Sequence, residues 1–337
     1  MKLPRVSVLM STYNGEKYIR EQIDSILRQE SVEVQLLIRD DGSSDNTPLI
    51  CKEYEKKYSN VSFYQGCNTG IGKSFMELLR NAPEAEFYSF ADQDDVWLAD
   101  KLIRAVIMIR EAETKIPWRG VGGGYPITCN GLSEKMSVSS EIKCPILYGS
   151  NLIKVDEKLN LVGLRFESIP KCDLLSSISS NMIYGCTMVM NRLLREISVS
   201  IDNPSDKIFT RKNHDGWVLY VSYITGIFIY DSESHIYYRE HVDQAVGVKE
   251  TKGIRVIEDF FNRLFKAKNK GIRSTLAKDL LEKLSDRMNT DIRVHLEILS
   301  KTNTVRGTRD LIKDKDLVDS FGESRGKILL RGMIKWI

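Results

Sequence analysis

Val6-Ser-Val-Leu-Met-Ser-Thr-Tyr-Asn-Gly15 reads as a short apolar strand that runs into a polar cluster. From Glu16 to Gln29 the period changes, and Tyr18, Ile19, Ile23, Ile26 and Leu27 fall on one helical face. The same unit then recurs. Val34 to Ile38 is a strand, Asp40-Asp41-Gly42-Ser43 its turn, and Thr47 to Tyr58 a helix with Ser44 or Asp45 as cap. Val61 to Tyr64 leads into the loop Asn68-Thr69-Gly70-Ile71-Gly72 and a helix from Ser74 to Arg80. Phe87 to Ala91 leads into Asp92-Gln93-Asp94-Asp95 and a helix from Leu98 to Ala112. Strands alternating with helices of this length imply right-handed crossovers and a parallel sheet. Ligands of such sheets bind outside the carboxyl ends of the strands. The four polar clusters all follow strands, so they are expected to converge on one rim.

Beyond residue 112 the pattern loosens. Lys115 to Lys143, with Gly120 and Gly122-Gly123-Gly124, reads as a loop or insertion. Ile146 to Val155 reads as a strand, Asn191 to Ile197 as a helix, Val218 to Ile224 as a helix opened by His214-Asp215-Gly216-Trp217, and Ile227 to Tyr230 and His235 to Tyr238 as two strands. From Ile254 onward Ile254, Ile257, Phe260, Phe261, Leu264 and Phe265 sit at helical spacing among basic residues. Further helical patterns run from Leu276 to Leu284 and from Arg293 to Leu299, and the chain closes on the apolar run Ile328 to Ile337. The expected division is 1–250 as a catalytic domain (a nucleotide half over 1–112 and an acceptor half over 145–250), then 251–337 as a basic, amphipathic helical region.

A chain of 337 residues with 42% hydrophobic and 28% charged residues can bury a sizeable core. Gly253 to Ile337 holds 19 basic and 12 acidic residues, a local excess of seven positive charges, against a chain total of +3. Everything before it is therefore mildly acidic. The six cysteines lack CxxC spacing, which argues against a zinc site or a disulfide framework and for a reduced, cytoplasmic setting. The first ten residues read as a buried strand and not as a secretory leader, and no apolar run approaches the ~20 residues of a membrane span. No motif supports a nucleic-acid partner.

The acidic cluster is the sharpest chemical feature. Three carboxylates in four residues repel one another unless a cation or hydrogen-bond donors compensate them. Oxygen ligands of this kind suit Mg²⁺ or Mn²⁺, which complete their shells with water and substrate phosphates. The bland reading is a helix start whose acids favour the dipole. Asp40 in its Asp-Gly turn can accept the ring N–H of a uracil or thymine, with Thr12, Tyr13 and Asn14 beside it, but Asp-Gly is also an ordinary turn pair. The glycines of Asn68 to Gly72 allow a ligand close to the backbone, without the spacing of a dinucleotide site or P-loop. Asp215 is either a helix cap or a general base for an acceptor hydroxyl. Arg239 and His241 are either a surface pair at a strand end or contacts to a diphosphate, with His241 a further metal ligand.

In this order the motifs resemble family 2 glycosyltransferases of the GT-A fold. The pieces are Val6 to Asn14, Arg39-Asp-Asp-Gly-Ser-Ser-Asp45, Asn68-Thr-Gly-Ile-Gly72, Phe90-Ala-Asp-Gln-Asp-Asp-Val-Trp97, His214-Asp-Gly-Trp217 and Tyr237-Tyr-Arg-Glu-His241. They span roughly residues 4 to 247, and the Asp-Gln-Asp-Asp-Val-Trp form is similar to the bacterial polysaccharide branch that includes rhamnosyltransferases. The resemblance implies an α/β fold, Rossmann-like, with a mainly parallel sheet flanked by helices and a C-terminal helical appendage. It implies Asp94 as direct metal ligand and Asp92 nearer the ribose or sugar. Asp40 would hold the pyrimidine, and Asp215 would be the base of a single, inverting displacement. His214, Trp217 and Gly185 would shape the acceptor side. The implied activity is transfer of a sugar, such as rhamnose from dTDP-rhamnose, to a glycan or lipid-linked acceptor in cell-surface polysaccharide synthesis. A UDP-hexose or UDP-N-acetylhexosamine is the alternative donor. A non-catalytic nucleotide-sugar-binding protein and a sugar nucleotidyltransferase are the alternatives outside that class. Three places depart from the family pattern: the long Lys115–Lys143 segment, Ser150-Asn151 where Ser-Asp is common, and Gly216 where an aromatic often follows His-Asp. For the C-terminal region the alternatives are peripheral contact with the inner face of the membrane, packing on the catalytic domain, and association with a second copy of the chain.

Overall fold

The computed structural model describes residues 2–115, 127–128, 144–180, 183–241 and 271–322, together with 325, 326 and 328. The expected helical face from Ile254 to Phe265, most of the Lys115–Lys143 segment and most of the closing apolar run lie outside the described residues.

The N-terminal third alternates as its sequence implies: β1 (Arg5–Thr12), α1 (Ile19–Leu27), β2 (Glu33–Asp40), α2 (Thr47–Lys57), β3 (Val61–Gln65), α3 (Ile71–Asn81) and β4 (Phe87–Ala91). The chain continues through β5 (Val96–Trp97), α4 (Lys101–Lys115), β6 (Ile127–Thr128), β7 (Ile146–Val155), β8 (Leu161–Leu164) and α5 (Leu174–Ser179). Then follow β9 (Val189–Asn191), α6 (Arg192–Ser200), α7 (Asp206–Thr225) and β10 (Ile227–Arg239). The described C-terminal helices are α8 (Ile272–Leu284), α9 (Thr290–Ser300), α10 (Val305–Lys313) and α11 (Lys315–Phe321).

One sheet runs β3-β2-β1-β4-β9-β7-β10-β5, with β6 beside β10 and β8 beside β7. Strands β3, β2, β1 and β4 are mutually parallel, and β7 is parallel to β10. Strand β9 is antiparallel to both β4 and β7 and joins the two parallel halves. The sheet is therefore mixed. Helices cover both faces, so parallel strands are buried on both sides and read as near-continuous apolar runs. In β1 the side chains alternate between two cores. Val6, Val8 and Met10 face Ile23, Ile26 and Ile50 of α1 and α2 together with Leu102 and Ile109 of α4. Leu9 faces Phe75 and Leu79 of α3 on the other side.

Two expectations change here. The helix expected from Leu98 begins at Lys101, and Val96-Trp97 before it is a two-residue strand antiparallel to β10, pairing Trp97 with Ile236 and Val96 with Tyr237. The two strands expected after Gly226 are one strand, β10, whose register against β7 shifts between Asp231, Ser234 and Tyr237. Those irregularities let the polar Asp231-Ser-Glu-Ser stretch stay within a strand. The apolar faces of the C-terminal helices have a definite partner. Leu276, Leu280, Leu284, Leu296, Leu299, Leu311 and Leu317 share one core with Trp217, Tyr220 and Ile224 of α7.

Candidate active site

The carboxyl ends of β1, β2 and β4 bring the polar clusters together, because parallel pairing sets Thr12 opposite Asp40 and Met10 opposite Ala91. Asp40 is fully buried. One carboxylate oxygen accepts from the Thr12 hydroxyl at 3.2 Å and from the Ser43 hydroxyl, and the other accepts from the Gly42 and Ser43 N–H groups at 3.2 and 3.0 Å. In this structure Asp40 thus organises its own turn, and a base N–H would have to displace one of these donors to reach it. The exposed groups of the rim are Tyr13, Asn14, Asn68, Thr69 and Gly70. Asn14, in a left-handed conformation (φ 49°), receives the Ser44 N–H on its side-chain oxygen at 2.8 Å and donates its own N–H to Ser43 Oγ at 2.8 Å. Tyr13 is tied to the acidic cluster through a reciprocal pair: its N–H donates to Gln93 Oε1 at 2.8 Å, and Gln93 Nε2 donates to its carbonyl at 3.0 Å. The Gly70 N–H donates to Asp41 Oδ2 at 2.9 Å.

The acidic cluster divides in two. Asp94, half-buried, pairs its Oδ2 with His241 Nε2 at 2.8 Å. Asp92 and the fully buried Asp95 point toward the Cys186 thiol, and one ligand atom from each of the three lies within 4.8 Å of the others. Burial, followed by the charges of Asp94 and Asp215, pushes the Asp92 carboxyl up to about 7. Burial, followed by the charges of Asp94 and Asp92, holds Asp95 well above the carboxylate range. Asp95 Oδ2 is buried with no oxygen or nitrogen donor to it among the described residues. Acids that raise one another's pKa around an orphaned oxygen form a set that a divalent cation would relieve, so the donor chemistry fits Mg²⁺ or Mn²⁺. Asp92, Asp94 and His241 are the anticipated ligands. The structure adds Asp95, whose neighbour the Cys186 thiol is likewise pushed well above its ordinary range by burial.

Arg239 has a different place from the one its motif suggested. It is 1% exposed. Its Nε donates to Asp94 O at 2.8 Å, Nη1 to Glu157 O at 2.6 Å and Nη2 to the Glu21 carboxylate, while its backbone N–H donates to Asp95 Oδ1 at 3.2 Å. The guanidinium lies over the Tyr18 ring, 4.6 Å from its centroid. It braces the acidic loop from behind and offers no free edge to a diphosphate in this structure.

The His-Asp motif sits at a kink in α7. Asn213 has φ 51° and ψ −169°, a strained conformation for a residue with a side chain, and it interrupts the helix just before His214. His214 is buried, with its ring stacked on Phe75 at 3.9 Å and edge-on to Phe90 at 4.6 Å. Burial pushes its imidazole down to about 3, so the ring is neutral. Trp217 is fully buried in the core. These two side chains therefore hold the helix and present no surface to an acceptor in this structure. Asp215 is 8% exposed, and one of its oxygens accepts the Gly216 N–H at 2.7 Å. Its charge is among those that raise the Asp92 carboxyl. Gly185 approaches it closely. A Cβ there would lie 2.8 Å from His214 Nε2 and 3.2 Å from Asp215 Cβ.

The chain is 39% identical over 102 residues to the dTDP-rhamnosyl transferase RfbG of Shigella flexneri, covering 29% of this chain and 35% of that protein. It is 32% identical over 219 residues to EpsH of Bacillus subtilis, covering 64% of this chain and 57% of EpsH. The chain thus spans only part of the length of these curated relatives. Among solved structures, S. aureus TarS superposes with a TM-score of 0.56 at 16% identity, over 98% of this chain and 53% of TarS. A TarS 1–349 segment in complex with UDP superposes with a TM-score of 0.55 at 16% identity, over 98% of this chain and 87% of that one. At this identity the likeness is one of fold, and that fold is GT-A. With residues 7–124 matching the model of the family described as glycosyl transferase family 2, the chain carries a family 2 glycosyltransferase domain.

Proposed function

We propose that this protein transfers one sugar from a pyrimidine nucleoside diphosphate sugar to a hydroxyl of a glycan or lipid-linked acceptor, with inversion, during bacterial cell-surface polysaccharide synthesis. The observation that supports the reading best is the close approach of Asp215, at the kink of α7, to Gly185, whose neighbour Cys186 lies with Asp92 and Asp95. The rim made by Tyr13, Asn14, Asn68 and Gly70 receives the nucleoside, with Thr12 and Asp40 fixing its backbone. Asp92, Asp94 and His241, with Asp95 behind them, would hold Mg²⁺ or Mn²⁺, and the cation when bound would neutralise charge on the departing diphosphate. Asp215 takes the proton from the acceptor hydroxyl as that oxygen forms its bond to the anomeric carbon. The bond from that carbon to the diphosphate oxygen breaks on the opposite face, and the nucleoside diphosphate leaves with the bonding pair.

Likeness to the dTDP-rhamnosyl transferase supports dTDP-rhamnose as donor. A UDP-N-acetylhexosamine is the second reading, favoured by the TarS 1–349 structure in complex with UDP-GlcNAc. A donor panel measured by product formation separates the two. Asp215→Asn tests the assignment of the base. Binding of the donor is expected to stay within about twofold while transfer falls by about 10²-fold or more. Transfer at the wild-type rate would remove Asp215 from the role.

A further inference from the structure

Arg165, the residue after β8, belongs to none of the steps above. Its guanidinium carbon lies 4.0 Å from the centroid of the Tyr184 ring and 5.1 Å from that of Phe166. Its Nε is buried and has no hydrogen-bond acceptor among the described residues. Other cations on this side of the molecule are committed. Arg239 donates to Asp94 O, Glu157 O and the Glu21 carboxylate. Lys212 Nζ donates to the Ser177 and Ile178 carbonyls at 3.2 and 3.0 Å, and Lys154 Nζ lies 3.3 Å from Glu240 Oε1. Tyr184 places Arg165 on the side of the general base. It precedes Gly185, whose Cβ would lie 3.2 Å from Asp215 Cβ, and its ring lies 5.2 Å from that of Tyr238 in β10.

The backbone here is held by Asn151, one of the positions that depart from the family pattern. Its Nδ2 donates to Phe166 O at 2.8 Å, and its Oδ1 accepts the Phe166 N–H at 3.2 Å. An ionised aspartate has no N–H to give and would lose the first of these bonds. The strand that leads into Arg165 is apolar and uncovered. Leu161 is 72% exposed, Val162 56% and Leu164 48%, and β8 pairs with β7. Exposed apolar side chains on a short edge strand mark a contact surface. A guanidinium seated on an aromatic ring, with an unspent donor, suits a phosphate. A cation and an apolar strip in continuous chain complement a molecule with an anionic group joined to an alkyl chain.

We propose that Arg165 and β8 select the acceptor, and that the acceptor is a sugar carried on a lipid phosphate. Arg165 takes the phosphate, and Leu161, Val162 and Leu164 take the alkyl chain beside it. This rests on the glycosyltransferase reading given above. The test uses Arg165→Met, which keeps an apolar side chain on the Tyr184 ring and loses the charge, and the double variant Leu161→Ser/Leu164→Ser. Calorimetry with EDTA, which keeps cations off the acidic cluster, measures Kd for octyl phosphate, methyl phosphate and octyl glucoside, each below its micellar range. UDP and dTDP are titrated into the same proteins with Mn²⁺, and size-exclusion chromatography over a range of concentrations reports their oligomeric state.

The wild type is expected to bind octyl phosphate at least about tenfold more tightly than either other probe. Arg165→Met is expected to lose the advantage over octyl glucoside, and the double serine variant the advantage over methyl phosphate. Both are expected to keep their nucleotide Kd within about twofold of wild type. Unchanged octyl phosphate binding in Arg165→Met would overturn the role of Arg165. Methyl phosphate bound as tightly as octyl phosphate would overturn the lipid source. A wild-type dimer that the double serine variant dissolves would give β8 to a second copy of the chain and overturn the lipid contact. Each of these results leaves the glycosyltransferase reading intact as long as a nucleotide binds. A wild type that binds octyl phosphate and neither nucleotide would overturn that reading, and with it the assignment of the ligand as an acceptor.

Discussion

Lys101 shows how much a single residue reports about the ground beneath the acidic cluster. It is 1% exposed, its Nζ donates to Ser89 Oγ at 3.2 Å, and it lies 3.5 Å from the centroid of the Trp97 ring. Burial pushes its ammonium down from 10.5 to about 7, against the smaller opposing pull of Cys186 and Asp95. Between those two values the unfolded chain keeps a proton that the folded chain has released. Folding is therefore penalised progressively as pH falls through that window, and the full penalty is reached below about pH 7. Lys101→Met lacks this linkage. As pH falls from 10.5 to 7 the stability difference is expected to move toward the methionine variant by a few kcal/mol, at about 1.4 kcal/mol per pK unit. Denaturant unfolding of both proteins across that range measures it, and a difference that stays flat with pH would contradict the assignment.

At the scale of elements, the site depends on how closely the turn Gly185–Thr187 meets the kinked helix α7. Gly185→Ala places a methyl group against His214 and the Asp215 Cβ, and both sit on a helix already held by core packing. The variant is expected to lose about 1–3 kcal/mol of stability, as overpacked cores do. Its transfer rate is expected to fall further than that loss explains, because the added methyl group pushes Asp215 away from the turn that carries Cys186. Thermal melts and initial rates on the same preparation check this, and wild-type values of both would contradict it. Elements of this kind were legible in the sequence to very different degrees. Strands β1 to β4 and their helices announced themselves by period, because each buries its own face. Strand β5 did not, since two residues carry no period and its partner lies about 140 residues later in β10. Arg239 read as a ligand contact because its neighbours in sequence are polar. Its real partners, Glu21, Asp94 and Glu157, come from three other places in the chain. His214 and Trp217 read as acceptor contacts by adjacency to Asp215, and only the packing of Phe75, Phe90 and α7 shows that they are buried. Asp95 was visible in the acidic cluster, but its burial beneath Asp92 and against Cys186 depends on the remote strand β9 and the turn before it.

At the scale of the molecule, the sheet separates two cores, and the helices of residues 271–322 belong to the one that also holds α3, α5 and α7. The alternative of packing on the catalytic part therefore accounts for the apolar faces of these helices. No helix among the described residues is long and apolar enough to cross a membrane. The rim at the carboxyl ends of the strands was legible from topology alone, since parallel strands must deliver their following loops to one edge.

We propose that the acidic cluster binds a nucleoside diphosphate through a divalent cation. Calorimetric titration of UDP and dTDP into the wild type and into Asp94→Ala, each with and without Mn²⁺, tests it most directly. The expected result is that Mn²⁺ raises the wild-type affinity for one of the two nucleotides by at least about tenfold and leaves the variant unmoved. Equal wild-type affinity with and without the cation, or full stimulation in the variant, would contradict it.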